Sequence, residues 1–448
     1  MVTAPRVGVG RGRRLSGSFV PPGDKSITHR ALLFALLAVG RSRITGANPG
    51  EDCARSAAAA ATLGARIERT ADGWVVEGTG GRLRAPLEPI DCGNSGTTLR
   101  LLAGIVAAHP FAVTLTGDAS LSRRPMRRVA EPLIRMGAVV EGRGEACTPP
   151  LSVRGTALTG IDYRVPMASA QVATCVLLAG LQAHGETRVR LPGPARDHSE
   201  RMLPAFGATL EREEHSDGGR TLRVQGGVTL HSCDVHVAGD FSAVAFLLAG
   251  AAADPGARVT ARGVNLNPTR TGFLDVLRAM GAEVQLENVR VQAGEPVGDV
   301  TVTGPKALSS YDVPAEWLPR MVDEAPAWAV VASAARGTSR LVGAGELRVK
   351  ESDRIATLAA GLAAVGIQAE ESAHGLAVTG GTPRGGARIA THNDHRIAMA
   401  FAVLGCRTRE PLWFDDLASV RTSDPGFFDT LLALGGGVVP EPGGMGAA

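Results

Sequence analysis

The segment from Pro22 to Arg30, PGDKSITHR, combines a glycine turn, a candidate helix start and two cations, and the apolar run ALLFALLAV follows it directly. The first turn of a helix offers free N–H groups and the positive end of the helix dipole, so anions bind there. Lys25, Ser26 and Arg30 would lie within these first turns. The segment is therefore a candidate binding site for a phosphate or a carboxylate, although a capped helix with solvated charges would have the same pattern.

The same layout, a polar start followed by an apolar helix, occurs five more times. These copies begin with CGNSGTTLR at Cys92, ASAQVA at Ala168, GDFSAV at Gly239, VDEAPAW at Val322 and NDHRIAM at Asn393. Each of the six starts is followed by a glycine marker that ends a second, amphipathic helix. The markers are Gly64, Gly137, Gly207, Gly281, Gly366 and one near Gly436. Six ordered pairs at a period of roughly 70 to 85 residues indicate an internal repeat.

Each copy also contains short β-branched stretches, one between its two helices and one after its glycine marker. This alternation predicts an α/β or α+β fold. One copy cannot bury its apolar face alone, whereas three copies would form a domain of ordinary size. We therefore expect two similar domains, residues 21–236 and residues 1–20 plus 237–448. The first twenty residues go to the second domain because the first helix begins only after them.

Composition narrows the class of protein. The net charge of +3 is nearly balanced and aromatic residues make up only 4% of the 448 residues, which argues against nucleic-acid binding. No apolar stretch reaches the roughly 18 residues of a membrane span, and no signal-peptide pattern is visible. We expect a cytoplasmic monomer. The six cysteines are scattered, and His392 and His395 could hold a turn as well as a metal. We expect neither a metal nor a cofactor.

Basic side chains concentrate at the polar starts of both halves of the chain. The planar guanidinium of arginine can donate two parallel hydrogen bonds, which makes it the preferred side chain for binding carboxylates and phosphates. In the segment SLSRRPMRRV, Pro125 at a helix start would make Arg124 a fixed N-terminal residue, although a solvated basic loop is the alternative. The sequence therefore predicts a cleft between two similar halves, with helix starts facing each other, that binds small, multiply anionic metabolites.

Few acids accompany these cations. In the segment LRVKESDRIATLAAGL, Lys350 and Arg354 are four residues apart, which predicts that they share one helix face. Glu351, at the start of the same helix, is either part of a surface ion network or a proton-transfer acid. Asp323 and Glu324 occupy another helix start, where an acid can serve as a cap.

At these residues the sequence resembles the 5-enolpyruvylshikimate-3-phosphate synthase (EPSP synthase) family. The motifs PGDKS, GNSGTTLR, SLSR with RPM, ASAQ, RDHSERML, RVKESDR and NDHR occur in family order over roughly residues 15 to 430. The resemblance implies two inverse α/β barrel domains, each of three βαβαββ units, with the active site in the cleft between them. It implies transfer of the enolpyruvyl group of phosphoenolpyruvate to the 5-hydroxyl of shikimate 3-phosphate through a tetrahedral ketal, with release of phosphate. This reaction belongs to the shikimate pathway to chorismate and aromatic amino acids.

The resemblance also assigns residues to the two substrates. The residues for shikimate 3-phosphate are Lys25, Ser26, Arg30, Ser169, Ala170, Gln171, Arg196, Asp323 and Lys350. The residues for phosphoenolpyruvate are Lys25, Asn94, Gly96, Arg124, Gln171, Arg354 and Arg396. Asp323 would take the hydroxyl proton, and Glu351, together with Lys25, would deliver a proton to the methylene carbon.

The chain departs from some members of the family at a few positions. Ala170 stands where some members have a second serine, and Glu346 stands where some have asparagine. Near the C-terminus, Thr422 stands where some members have lysine, with Arg421 beside it. We leave open whether Arg421 substitutes for that lysine.

Two other functions are compatible with parts of the pattern. The UDP-N-acetylglucosamine enolpyruvyl transferase family is similar in architecture, but it has Lys-Asn where this chain has Lys25-Ser26. It also has a loop cysteine five residues before its RP arginine, where this chain has Ala119. A catalytically inactive anion-binding homologue is the other alternative, against which the intact Asp323 and Glu351 argue.

Overall fold

The computed structural model describes residues 7–440. Residues 1–6 and 441–448, which the predicted second domain includes, lie outside the described residues. The helices are α1 Lys25–Leu37, α2 Glu51–Thr62, α3 Gly96–Val106, α4 Arg127–Arg135, α5 Ala170–Gly180, α6 His198–Met202, α7 Phe241–Ala253, α8 Gly272–Ala279, α9 Ala325–Ala332, α10 Arg354–Ala364, α11 His395–Gly405 and α12 Phe427–Ala433.

The strands are short, and most of them alternate with the helices. They are β1 Val7–Gly10, β2 Ser16–Phe19, β3 Arg41–Thr45, β4 Arg66–Thr70, β5 Gly73–Glu77, β6 Ile90–Asp91, β7 Ala112–Thr116, β8 Val139–Arg143, β9 Thr148–Arg154, β10 Asp162–Arg164, β11 Glu186–Leu191, β12 Leu210–Glu214, β13 Arg220–Gln225, β14 Val235–His236, β15 Arg258–Asn265, β16 Glu283–Gln292, β17 Glu295–Thr303, β18 Leu308–Ser309, β19 Ala335–Arg336, β20 Thr338–Leu341, β21 Ala369–Ser372, β22 Gly375–Thr379, β23 Arg388–Ile389, β24 Leu412–Phe414 and β25 Gly437–Pro440. The mixed α/β class predicted from the sequence is confirmed.

The chain divides into two compact units. Among the described residues, the first unit comprises Gly23–Ala238 and Val291–Glu295, and the second comprises residues 7–22, Gly239–Arg290 and residues 296–440. The order of buried helix, strand, second helix and antiparallel strand pair recurs along both units. The repeat predicted from the polar helix starts therefore corresponds to a recurring structural element.

Three four-stranded sheets form the first unit, in the orders β14-β3-β5-β4, β6-β7-β9-β8 and β10-β11-β13-β12. In each sheet the strand between the two helices pairs antiparallel with the second strand of the hairpin and parallel with a short edge strand. That edge strand comes from the end of another copy. β14, which follows the third copy, pairs with β3 of the first, so strand pairing links the three copies in a closed cycle.

The second unit has the same kind of sheets, and the N-terminal segment contributes to two of them. The larger sheets have the orders β16-β17-β15-β2, β21-β22-β20 and β23-β24-β1-β25, and β18 pairs with β19 in a two-stranded parallel sheet. Beside the second of these sheets, β18 pairs with β19 just before β20, and an isolated parallel bridge joins Val313 to Leu341. β1 lies between β24 and β25 of the last copy, and β2 is the edge strand of the sheet that contains β15. The cycle of the second unit is thus completed by residues from the start of the chain.

The first helix of each copy lies in the core of its unit. All thirteen residues of α7 are buried, and α1, α9 and α11 are buried over most of their length. A helix that is apolar on every side is stable only when it is enclosed by other elements. Gly104 allows α3 to approach α5 closely, because a Cβ there would lie 2.2 Å from the carbonyl oxygen of Cys175. Among residues 7–440, no helix is both long and apolar enough to span a membrane.

The glycine markers end the second helix of each copy in a conformation that favours glycine. Their φ angles are +113° at Gly64, +111° at Gly137, +86° at Gly207, +97° at Gly281, +76° at Gly366 and +112° at Gly435. The sixth marker is therefore Gly435 rather than Gly436. A residue with a Cβ is strained at positive φ, and a glycine just after a helix lets the chain turn away into the next strand.

We expect Gly137→Ala to lower the free energy of unfolding by about 1–2 kcal/mol, because a side chain at its φ of +111° is strained. Gly193→Ala is the matched control in the same unit, since Gly193 is not among the positive-φ residues and a Cβ there would meet no atom within 4 Å. Urea unfolding of both variants measures the difference. Equal destabilisation by the two substitutions would show that the marker conformation is not the cause.

Candidate active site

In the first unit, α1 begins within the segment Pro22 to Arg30, the first candidate anion-binding site. Asp24 accepts a hydrogen bond from the backbone N–H of Ile27 and so caps the helix, which places Lys25 and Ser26 in its first turn. Lys25 Nζ lies 3.0 Å from Asp52 Oδ2 of α2, and both side chains are largely buried. The sequence did not indicate Asp52 as the partner of Lys25. This ion pair fixes the lysine at the helix start.

His29 lies between the two cations of this helix. Its ring is buried, and Nδ1 lies 2.8 Å from Ser56 Oγ. Burial lowers the pKa of His29 well below its usual value of 6.5, and the charges of Lys25 and Arg30 lower it further. The ring is therefore neutral at pH 7 and adds no third charge to the helix start.

The start of α3 holds Arg124 through an asparagine. Ser95 caps α3 by accepting from the N–H of Thr98. Arg124 Nη2 donates to Asn94 Oδ1 at 2.7 Å, and Asn94 Nδ2 donates to Asp118 Oδ2 at the same distance. Arg124 itself lies in the loop between the 3-10 turn Leu121–Arg123 and α4, so the prediction that Pro125 begins the helix is off by two residues. Because α4 begins only at Arg127, Arg124 is fixed by Asn94 instead.

Gly96 is the first residue of α3, and its lack of a side chain brings two guanidinium groups close to the helix start. A Cβ at Gly96 would lie 2.7 Å from Arg100 Nη1 and 3.3 Å from Arg124 Nη1. Any larger residue would therefore push against both arginines.

The start of α5 is connected to α3 by hydrogen bonds. Ser169 caps α5 through the N–H of Val172, and Ala170 and Gln171 form its first turn. Arg100 Nη1 donates to Gln171 Oε1 at 2.6 Å, and Gln171 Nε2 donates to Thr97 Oγ1 at 2.8 Å. Both ends of the Gln171 amide are thus oriented by α3. Arg196 is half-buried in the loop that leads from β11 to α6.

In the second unit, Arg354 is the centre of an ion network. Its side chain is fully buried and its Nε donates to Asp394 Oδ2 at 2.8 Å. Nη2 donates to Glu351 Oε2 at 2.6 Å, and Nη1 lies 3.4 Å from Asp323 Oδ1. Burial alone would lower the pKa of Arg354, but the carboxylates of Asp394, Glu351 and Asp323 raise it above its usual value. The arginine therefore keeps its charge. It contacts Glu351 and approaches Asp323, the two acids that are predicted to transfer protons.

Arg396 is the second cation of this network. Asp394 caps α11 by accepting from the N–H of Arg396, which places the arginine in the first helical turn. Arg396 Nη2 lies 3.6 Å from Asp323 Oδ2, and Nη1 donates to the Asp323 carbonyl at 3.3 Å. His392 and Asn393, immediately before the cap, have φ angles of +52° and +57°. A side chain at such φ costs energy that the surrounding structure offsets, which is common beside functional groups.

Lys350 does not share a helix face with Arg354. Asp353 caps α10 through the N–H of Ala356, so the helix begins at Arg354, and Lys350 follows the 3-10 turn Gly345–Val349. The expectation of a shared face is therefore wrong. Lys350 Nζ instead lies 2.6 Å from Glu346 Oε1. Glu346 is the residue that replaces the asparagine of some members of the family that the sequence resembles.

A buried acid lies close to the C-terminal position at which the sequence differs from some members of the family it resembles. Arg421 is exposed, whereas Asp424, three residues later, is buried. Burial raises the pKa of the Asp424 carboxyl from 3.8 to about 7, and the neighbouring charge of Asp240 adds to this effect, while the N–H of Gly426 opposes it. The Asp424 carboxyl is thus partly protonated at neutral pH.

Cations at helix starts in both units, and two carboxylates beside a buried arginine in the second, are features expected of an enzyme that acts on small anions. The family model of EPSP synthase (3-phosphoshikimate 1-carboxyvinyltransferase) matches residues 9–431. The 3-phosphoshikimate 1-carboxyvinyltransferase of Acidiphilium cryptum (strain JF-5) is 50% identical over 427 residues, which cover 95% of each chain. The chain belongs to the EPSP synthase family.

Solved structures agree with this assignment. The EPSP synthase of Acinetobacter baumannii superimposes with a TM-score of 0.85 at 40% identity, covering 98% of this chain and 100% of that one. The enolpyruvyl transferase NikO from Streptomyces tendae has a TM-score of 0.77 at 19% identity, with coverage of 98% and 99%. This second likeness shows a shared fold alone.

We expect Asp424 to contribute stability that falls as pH rises from about 4 to about 7. The folded state holds a proton on Asp424, whose pKa is about 7, and the unfolded chain releases that proton near pH 3.8. The contribution approaches about 1.4 kcal/mol per pH unit within this window. Asp424→Asn should remove this contribution, so that its stability relative to the native protein changes with pH across this window, and the exposed Asp429→Asn is the control. Urea unfolding at several pH values measures both, and an unchanged slope in Asp424→Asn would contradict the assignment.

Proposed function

We propose that this chain transfers the enolpyruvyl group of phosphoenolpyruvate to the 5-hydroxyl of shikimate 3-phosphate and releases phosphate. This is the activity of its family, and it serves the shikimate pathway to chorismate and aromatic amino acids. The observation that carries the residue roles is the network around Arg354, in which one guanidinium holds Glu351 and approaches Asp323. No metal or cofactor enters the proposal.

The proposed site for shikimate 3-phosphate uses two capped helix starts of the first unit. The phosphate and carboxylate of this substrate suit the N–H groups and cations at the starts of α1 and α5. Its residues are Lys25, Ser26, Arg30, Ser169, Ala170, Gln171 and Arg196, with Asp323 and Lys350 from the second unit.

The proposed site for phosphoenolpyruvate uses cations of both units. Arg124 is oriented by Asn94, and Gly96 leaves room beside it. Lys25 and Gln171 also belong to this site, as do Arg354 and Arg396 of the second unit. Two arginines with planar forks can grip a carboxylate and a phosphate, which a smaller cation cannot match in geometry.

The proposed reaction adds and then eliminates. The 5-hydroxyl oxygen attacks the carbon that carries the phosphate while Asp323 takes the hydroxyl proton, and the methylene carbon gains a proton to give the tetrahedral ketal. The methyl group then loses a proton and the carbon–oxygen bond to phosphate breaks, which restores the double bond. Arg354 and Arg396 lie 3.4 Å and 3.6 Å from the Asp323 carboxylate, which is the proposed proton acceptor. Glu351, together with Lys25, is the proposed donor to the methylene carbon.

The arrangement that the family implies is also part of the proposal. The two domains, 21–236 and 1–20 plus 237–448, would each form an inverse α/β barrel from three βαβαββ copies, with the substrates in the cleft between them. The closed cycle of strand pairing in the first unit supports such a barrel. The monomeric state and the cytoplasmic location stay predictions from the sequence.

A phosphate-release assay with shikimate 3-phosphate and phosphoenolpyruvate tests the reaction. We expect release that requires both substrates. Release with UDP-N-acetylglucosamine in place of shikimate 3-phosphate would favour the other transferase family, and no release with either acceptor would favour an inactive homologue.

Arg124→Ala should raise KM for phosphoenolpyruvate about 10- to 150-fold, the loss expected for one charged hydrogen bond. Arg143→Ala, an exposed arginine of the same unit, is the control. Equal weakening of both substrates would contradict the assignment of Arg124.

Asp323→Asn separates binding from proton transfer. The amide still accepts a hydrogen bond from a hydroxyl but cannot take its proton. We expect the Kd for shikimate 3-phosphate to stay within about threefold and kcat to fall about 10²- to 10⁴-fold, the usual contribution of a general base. Calorimetry and steady-state kinetics measure the two quantities. Near-normal turnover with intact binding would move the base to another residue.

A further inference from the structure

The guanidinium of Arg30 is held by three hydrogen bonds inside the first unit. Arg30 is only 3% exposed. Its Nε donates to Ser199 Oγ at 2.7 Å and its Nη2 donates to Thr174 Oγ1 at 3.0 Å. Its Nη1 donates to the Ser26 carbonyl at 3.0 Å. Bonds from all three nitrogens of a planar group fix both its position and its plane.

The hydroxyl hydrogens of Ser199 and Thr174 have a definite direction. Thr174 Oγ1 lies 2.7 Å from the carbonyl oxygen of Ala170, which can only accept, so the single hydroxyl hydrogen of Thr174 points there. Ser199 Oγ and Thr174 Oγ1 are 2.6 Å apart, so Ser199 must be the donor between them. Hydrogen bonds therefore run from Arg30 to Ser199, from Ser199 to Thr174, and from Thr174 to the first turn of α5.

This chain of bonds joins two helix starts that the proposed function gives to the same substrate. Arg30 belongs to α1, and Ala170 follows the Ser169 cap of α5. Ser199 is on the short helix α6, in the RDHSERML motif. Arg196 is the one residue of this motif that the family resemblance assigns to a substrate. Both hydroxyl residues are buried. They can act on a substrate only by holding groups that touch it.

We propose that Ser199 and Thr174 are positioning residues for shikimate 3-phosphate, which hold the Arg30 guanidinium in register with the start of α5. The proposal rests on the proposed function, in which Arg30, Ser169 and Ala170 bind that substrate. The two hydroxyls orient the guanidinium without neutralising its charge, unlike the carboxylates around Arg354. Orientation set before binding lowers the entropic cost of gripping an anion.

The first test removes each hydroxyl singly. We expect Ser199→Ala and Thr174→Val each to raise the Kd and KM for shikimate 3-phosphate about 3- to 10-fold, less than the loss of a direct charged contact. KM for phosphoenolpyruvate should stay within about twofold, since Arg30 does not belong to that site. Ser199→Thr and Thr174→Ser keep the hydroxyls and should restore most of the affinity. Thr187→Val is the control, because its hydroxyl is buried in the same unit and has no hydrogen-bond partner within residues 7–440.

The second test asks whether Ser199 acts through Arg30. In an Arg30→Lys background, Ser199→Ala should change the Kd for shikimate 3-phosphate by less than about twofold, because the group that Ser199 orients is gone. A role limited to packing would instead give the same loss in both backgrounds, which overturns the proposal. If Arg30→Lys weakens binding and Ser199→Ala in the native background does not, the positioning role fails while the proposed function stands. If Arg30→Lys itself leaves binding unchanged, the assignment of Arg30 in the proposed function fails as well.

Discussion

A buried helix must satisfy the N–H groups of its first turn without water, and this constraint shapes the whole molecule. The first helix of most copies begins with a side-chain cap, namely Asp24, Ser95, Ser169, Asp240 or Asp394. A polar residue at each of these points is therefore required for folding, before any substrate is considered. The residues just after a cap lie at the positive end of the helix dipole, where anions bind. The proposed substrate contacts thus make use of positions that the fold already keeps polar and positive.

Local backbone chemistry made the repeat predictable, whereas side-chain partners were not. Helix caps and the glycines after the second helices recur at regular spacing, so the six helix starts and the glycine markers were placed correctly from sequence, the sixth marker to within one residue. Asp52 and Asp394, which hold Lys25 and Arg354, could not be paired with them in advance, because the fold brings together residues that are far apart in the chain. Lys350 was misplaced for a local reason, since Asp353 is a stronger helix-start signal than the four-residue spacing. The roles given to the site residues came from the resemblance, and spacing alone could not have provided them.

The molecule holds its buried arginines in chemically different ways. Carboxylates surround Arg354, the amide of Asn94 orients Arg124, and hydroxyls orient Arg30. A carboxylate offsets the charge of the arginine, while an amide or a hydroxyl sets its direction and leaves its charge available. In the proposed function, Arg354 holds the acids around it, and Arg124 and Arg30 bind the two substrates. A substitution of arginine by lysine would be least tolerated where the planar fork has several partners.

The strands of the N-terminal segment have a consequence for how the chain folds during its synthesis. β1 pairs with β24 and β25, so that Gly8 lies opposite Trp413 and Val439. These early residues leave the ribosome long before their partners exist, and the second unit cannot complete its sheets until the last copy has been made. The first unit meets no such delay for its main segment, since Gly23–Ala238 is continuous. Long-range pairing of this kind slows folding and leaves strand edges exposed in the meantime. Vectorial synthesis therefore imposes an order on two units of similar architecture, in which β1 is translated early and paired last.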